Sequence, residues 1–361
     1  MSEMQDIIIQ SAEKIFKRHT TKELVDELEE GKFDEKTWKL LVDNGLTTIG
    51  VPESLGGVGG DLQDAFQVIK LSGKYTLPVP LAETILANLM LSRIEVQVDT
   101  TLRSIHFNES DGLNLESDKE QFLMNGQLNN VTWGRFLEEL IVVTKYNHKD
   151  YVVKVSPQQS KIEKRQNLAG EPMDDLEFRN VQINPENITE INRESFIKNL
   201  MDLGGVTKVS QMCGASEEIL NLCLFLTNER KQFGRPLNRL QIIQQYLATL
   251  AGDTVNITTN FDYVVDALEK HQMTYEVANS KIITNTAIRR IAETAHQIHG
   301  AVGVTHEHKL HQLTRRLWSW REEFGNEQFW TQLFAEKLMD EPNELSLWKK
   351  INNQKEELVN T

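Results

Sequence analysis

Arg230-Lys231-Gln232-Phe233-Gly234-Arg235-Pro236-Leu237, with Leu240-Gln241 just beyond, separates two long helical patterns. Before it, Val209, Cys213, Ser216, Leu220, Cys223 and Leu226 recur at helical spacing, with Arg230 on nearly the same face. After it, Ile242, Tyr246 and Leu250 begin another stripe. Glycine lets the backbone reverse and proline cannot continue a helix, so the segment reads as a turn between helices. An arginine at a helix end, beside an aromatic and a Gly-Arg-Pro turn, is a natural anchor for a diphosphate, because its planar fork matches phosphate oxygens. The competing reading is a C-capping turn with an exposed cation. About 65 residues further on, Gln297-Ile298-His299-Gly300-Ala301-Val302-Gly303 forms a second turn, where glycines let the backbone approach a ligand closely.

Working outward, Ile282, Asn285, Ile288, Ala292 and Ala295 mark a third helix. Leu310, Leu313 and Leu317, on toward Phe334 and Leu338, mark a fourth. Long helices joined by short turns predict an antiparallel four-helix bundle over 193–340, followed by a polar tail, 341–361. Residues 1–98 also read as a helical domain. Asp34 caps EKTWKLLVDNG with Gly45 at its end, and Asp61 caps DLQDAFQVIKLSG with Gly73 as its stop. Between them, VPESLGGVGG (51–60) lacks a Gly-Lys-Ser/Thr ending and reads as a structural turn. From 99 to 192 the pattern changes to LRSIHF, FLMNG, ELIVVT, YVVKV and LEFRNVQI, short runs rich in β-branched and aromatic residues. They predict a small antiparallel β-barrel or sandwich. The expected class is α+β, mostly α: helical domain, β-domain, four-helix bundle.

The 361 residues are 39% hydrophobic and 25% charged, an ordinary globular composition. A formal charge of −14 argues against nonspecific nucleic-acid binding, which needs clustered cations. No apolar run is long enough for a membrane span, and MSEMQDIIIQ lacks a basic region ahead of an apolar one. A cytoplasmic protein is expected, without membrane insertion. Cys213 and Cys223 stand about 15 Å apart along one helix, too far for a disulfide.

In this order, RKQFGRPL with LQ, then QIHGAVG, then a basic and aromatic run, resemble the acyl-CoA dehydrogenase family of flavoproteins. The VPESLGG loop is similar to the family's Pro-x-x-x-Gly-Gly loop. The resemblance implies the same three-part layout, FAD as cofactor, and an acyl-CoA thioester as substrate in fatty acid metabolism. It implies an electron-transfer flavoprotein as electron acceptor. It also implies a homodimer or tetramer, because Arg230, Gln232 and Phe233 match a turn that in relatives reaches a neighbouring subunit's FAD, with Gln241 beside it. Gln297, Ile298, His299 and Gly300 match the segment around the ADP part of FAD, with Ala301 replacing a second glycine. Asn125-Gly126-Gln127 followed by Val131-Thr132 is similar to a family strand that offers a hydroxyl, here from Thr132, to the flavin. Asn130 stands where relatives have Trp, and Trp133 lies three residues on. The family's Thr-Glu-Pro-x-Gly-Ser-Asp stretch has no clear counterpart before Phe122.

The reaction needs a carboxylate to take the α-proton of the thioester. Relatives place it in one of two positions, which here hold Phe324 and Gly204. Glu323, or Glu322, would supply the base after a one-residue shift; otherwise both are solvated acids at a helix end. The neighbouring substrate arginine of some relatives falls on Gly205, while Asp202 survives nearby. Gly204 and Gly205 leave room for a bulky acyl group or permit close helix packing. The missing carboxylate opens a second reading, a non-catalytic or half-site subunit that completes the FAD site of a sister dehydrogenase in a hetero-oligomer. His306-Glu307-His308 with His311 lacks the H-E-x-x-H order, so no metal is expected. Arg315, Arg316, Trp318, Trp320 and Arg321 suit interhelical packing and oligomer contacts, or a CoA phosphate.

Overall fold

The computed structural model describes residues 3–108, 112–118, 121–270 and 275–340. The polar tail 341–361 and part of the stretch between Asn108 and Phe122 lie outside the described residues.

Five helices come first: α1 (Glu3–His19), α2 (Lys22–Glu29), α3 (Glu35–Asp43), α4 (Leu62–Lys74) and α5 (Leu81–Ser92). The expected caps are in place. Asp34 accepts the Thr37 N–H, and Asp61 forms a reciprocal capping box with Asp64. Gly45 ends α3's turn with φ +71. Gly73, however, is no stop: α4 runs through it. A Cβ there would stand 2.0 Å from the Gln211 carbonyl oxygen, and one at Gly214 would stand 1.9 Å from that of Lys70. The two glycines are therefore what lets α4 cross the bundle's first helix at backbone contact.

The strands are β1 (Arg103–His106), β2 (Asn114–Asp118), β3 (Gln121–Thr132), β4 (Glu139–Tyr146), β5 (Lys149–Val155), β6 (Lys161–Glu163), β7 (Met173–Ile183) and β8 (Ile188–Ile191). They form one eight-stranded sheet in the order β6-β7-β3-β2-β4-β5-β8, with β1 beside β4. The purely antiparallel expectation is corrected, because β1 and β2 both pair with β4 in parallel. The β2–β3 excursion supplies the crossover that a parallel β1–β4 pair requires.

The last region holds α6 (Arg193–Glu229), a two-strand ribbon of β9 (Lys231–Gln232) and β10 (Arg235–Pro236), then α7 (Gln241–Glu269), α8 (Glu276–His299), α9 (Leu310–Glu322) and α10 (Glu327–Asp340). The fourth predicted helix is thus two helices. Phe324 and Gly325 both have positive φ, +51 and +88, which no α-helix continues through.

The N-terminal helices and the bundle share one hydrophobic core, reaching from Phe16 and Ile85 to Val209, Ile291 and Trp320. The sheet builds its own around Met124, Leu140, Val153 and Phe178. A loop before β7 ties sheet to bundle: Ser319 accepts the Ala169 N–H at 3.1 Å, and Glu171 pairs with fully buried Arg316 at 3.2 Å. Cys213 and Cys223 are buried, unpaired thiols.

Candidate functional site

Arg230 caps the C-terminus of α6 and opens the ribbon. Its carbonyl accepts the Leu237 N–H at 2.9 Å, and Gln232 pairs with Arg235. Phe233 and Gly234 form the tip with φ +53 and +76, the sign pattern of a type I′ turn. Such a turn favours Asn-Gly; a phenylalanine there is strained. Its ring is also 86% exposed, and Arg230, Gln232 and Gln241 are exposed with it. The aromatic tip and its arginine thus both face solvent in this chain.

The Gln297–Gly300 turn is the C-terminus of α8. Ile298 and His299 are core residues, 4% and 0% exposed, while Gln297 and Gly300 are exposed. Gly300 has φ +63, and a Cβ there would meet nothing within 4 Å, so the backbone faces open space. His299 Nδ1 donates to the Ala295 carbonyl at 2.9 Å, which leaves Nε2 as a buried acceptor with no partner. Burial pulls this histidine's pKa below its ordinary value, so the ring is neutral. The other histidines fit into the same packing: His296 bonds Thr314 at 3.0 Å, and His306 stacks edge-on with His311. Among the described residues, no group of three or more His, Cys, Asp or Glu is placed to hold a metal ion.

On the sheet, Val131 is buried and half-buried Thr132 ends β3 with its hydroxyl 3.3 Å from that of Ser104. Asn130 sits in a bulge with φ +60, exposed, its N–H bonded to Asp175 at 2.9 Å. Trp133 is turned into the sheet core, 3% exposed. The residues present are compatible with FAD: an exposed arginine and aromatic at the ribbon and, separately, an open glycine turn with a buried unpartnered ring nitrogen one residue before it. The end of β3 offers a threonine hydroxyl, with Trp133 turned away into the sheet core.

The two positions expected for the base meet each other. A Cβ at Gly204 would stand 2.3 Å from Cδ1 of Phe324, so the ring fills the space of any side chain there. A Cβ at Gly205 would meet Trp330 at 3.1 Å. The glycine pair thus serves close packing, not an open acyl pocket. The Trp330 indole N–H donates to the Phe324 carbonyl at 2.9 Å.

Glu323 is no solvated acid either. Its side chain is 14% exposed and pairs at 2.9 Å with Lys208, one helical turn beyond Gly204. Lys208 also bonds Glu83 of α5 and Gln211, both at 2.9 Å. Burial alone would lower the Lys208 pKa, but Glu323 and Glu83 outweigh it and hold the amine above its ordinary range. Burial, with Glu171 and Glu83 adding repulsion, raises the Glu323 carboxyl against the pull of Lys208. Glu322, beside it, is exposed. Sequence reasoning missed buried Lys208. The available signal was Lys208 itself, the one cation within the run of residues 203–216 that is buried throughout.

Comparison with known proteins follows the same outline. The family described as "Acyl-CoA dehydrogenase, N-terminal domain" matches residues 2–94, and "Acyl-CoA dehydrogenase, C-terminal domain" matches residues 195–339. Acyl-CoA dehydrogenase IpdE2 of Mycolicibacterium smegmatis is 23% identical over 88% of this chain and 93% of that protein. The caffeyl-CoA reductase-Etf complex subunit CarC of Acetobacterium woodii is 23% identical over 87% and 92%. Among solved structures, butyryl-CoA dehydrogenase of Megasphaera elsdenii superposes with TM-score 0.85 at 17% identity, covering 94% of this chain and 99% of that one. The ChsE4-ChsE5 complex of Mycobacterium tuberculosis gives 0.82 at 19% identity, covering 95% and 99%. Among the described residues, no helix is long and apolar enough to cross a membrane.

Proposed function

Because the chain belongs to the acyl-CoA dehydrogenase family of oxidoreductases, we propose that it serves the α,β-dehydrogenation of an acyl-CoA thioester as a subunit completing the FAD site of a sister chain. The observation that carries this reading is the Phe324–Gly204 contact. Where the reaction needs a carboxylate, this chain has a ring packed on a bare Cα. The geometry outside that contact supports a donor role. Arg230, Gln232 and Phe233 project from the chain, with Gln241 at the start of α7, and would hold the cofactor of a neighbour. Gln297 and the Gly300 backbone would receive the ADP part, with Ile298 and His299 packed behind them. Thr132, supported by Val131, would direct its hydroxyl toward a flavin ring.

FAD, when bound, supplies the acceptor for the hydride leaving the β-carbon. The chain's own residues contribute orientation and charge: the Arg230 guanidinium neutralises phosphate, and the αL ribbon presents Phe233 as an apolar contact. The electron acceptor is proposed to be an electron-transfer flavoprotein, by likeness to the Etf-complex subunit above. The two-chain assembly is proposed by likeness to the ChsE4-ChsE5 complex. The proposed compartment is the cytosol, in keeping with two unpaired thiols.

A second reading keeps Glu323 as base in a homo-oligomer. It is favoured by burial, which raises this carboxyl toward the range useful for proton abstraction, and opposed by the Lys208 ion pair.

The deciding experiment is a visible spectrum before and after anaerobic addition of an acyl-CoA panel, for the lone chain and for the chain coexpressed with a sister dehydrogenase. Bleaching only in the mixed assembly is expected. Bleaching of flavin on the lone chain would replace the first reading with the second.

A further inference from the structure

Residue 323 is held from two sides. Lys281 of α8 donates to its carbonyl oxygen at 2.9 Å, and to the carbonyls of Trp320 and Arg321 at 3.3 and 3.2 Å. Lys208 of α6 takes its carboxylate at 2.9 Å. Both lysines are buried, 0% and 1% exposed. Burying an ammonium group is costly, and a helix end is ordinarily capped by glycine or water. Two buried lysines converging on one residue therefore do more than close α9. Immediately beyond it, Phe324 and Gly325 enter the left-handed region, where a phenylalanine persists only if its surroundings impose it.

We propose that Lys208 and Lys281 are positioning residues that clamp Glu323 and thereby seat the Phe324 ring on Gly204, keeping the acyl side of this chain's own site closed. This rests on the reading that the chain does not itself abstract the α-proton. The clamp gives Glu323 a role other than base: as a carboxylate it anchors the turn to α6. Lys281 anchors the backbone, and its three acceptors need all three N–H groups of an ammonium; a neutral amine has two. Burial lowers its pKa to about 7, with Lys208 adding to the shift and Glu323, Glu322 and Glu327 opposing it. Lys208 in turn faces Glu83 from α5, Glu171 from the loop before β7, and Glu323. Deprotonation across neutral pH thus removes one donor together with the cost of a buried charge, while the carboxylate half persists.

Amide hydrogen exchange on the full-length protein, followed in peptides covering 320–330, tests the clamp. Lys281→Met is expected to speed exchange there by about tenfold while β3 stays unchanged. Glu323→Gln, which removes only the Lys208 half, is expected to give a smaller increase. Equal protection in Lys281→Met overturns the clamp; if that variant does not fold, Glu323→Gln decides, and unchanged exchange across 320–330 in it overturns the clamp. Binding of octanoyl-CoA is measured alongside. Release of the turn with at least a severalfold gain in binding supports the closed site, and release with no gain overturns it. Failure of the underlying reading appears elsewhere, as flavin bleaching by the lone wild-type chain.

Discussion

Phe324 occupies the space that any side chain at position 204 would need. The ring lies so close to the Gly204 Cα that a Cβ there would stand 2.3, 2.5 and 2.5 Å from its Cδ1, Cε1 and Cγ atoms. The two residues are complementary: the ring can sit where it does only because α6 has no side chain at that point. A carboxylate at 204 and a ring at 324 exclude each other.

That exclusion predicts a coupled pair. Gly204→Ala gains about 1 kcal/mol of helix propensity but overpacks against the ring, at a cost of about 1–3 kcal/mol. A net loss of stability is expected. In a Phe324→Ala background the same change should become neutral or stabilising, measured by urea melts in a double-mutant cycle. Additive effects would show that the ring can move aside freely.

Glu323→Gln removes one of the two carboxylates paired with Lys208. Since Glu83 remains, a loss of about 1–3 kcal/mol is expected, below the cost of leaving a buried charge wholly unpaired. Thermal or urea denaturation reads it. Full stability with abolished turnover would instead assign Glu323 as the base.

Phe233→Asn separates folding from cofactor retention. Asn-Gly is a preferred type I′ pair, so the lone chain should be as stable as wild type or gain up to about 1 kcal/mol. FAD content of the assembled protein should fall, because the exposed ring is lost. Arg230→Ala should likewise lower flavin occupancy with little change in melting. Undiminished flavin in both variants would remove this ribbon from the cofactor site.

Lys281 makes stability depend on pH with a definite sign. Its folded pKa of about 7 lies below the ordinary lysine value of 10.5, so between these values the unfolded chain binds the extra proton. Stability from this group therefore rises with pH across that window. The stability difference between wild type and Lys281→Met should shift in favour of wild type by about 2 kcal/mol between pH 7 and pH 9 in urea melts. Lys208 works in the opposite sense: its contribution is present below the ordinary lysine value and is lost only above it.

Gly73→Ala or Gly214→Ala should be far more damaging than a typical helical Gly→Ala change. Each Cβ would enter the backbone of the opposing helix, at 2.0 and 1.9 Å, so a loss above about 4 kcal/mol is expected. A soluble variant with unchanged melting temperature would contradict the close crossing of α4 and α6.

Local sequence determined the element types, their order, and the two turns. Apolar stripes on α6 and α8, the Asp34 and Asp61 caps, and the Gly-bearing Phe233–Gly234 and Gly300 turns are properties of neighbouring residues, and periodicity reports them directly. The resemblance to acyl-CoA dehydrogenases rests on the same short stretches. Tertiary structure alone decided what the departures mean. Gly73 looked like a helix stop and is a crossing point. Glu323 looked like a free acid or a displaced base and is one member of a buried ion cluster. Gly204 lies on α6 and Phe324 in the turn between α9 and α10, and nothing near either one announces the other. Contacts between residues far apart in sequence depend on how α6, α8 and the α9–α10 turn pack, and that packing leaves no periodic trace in the chain.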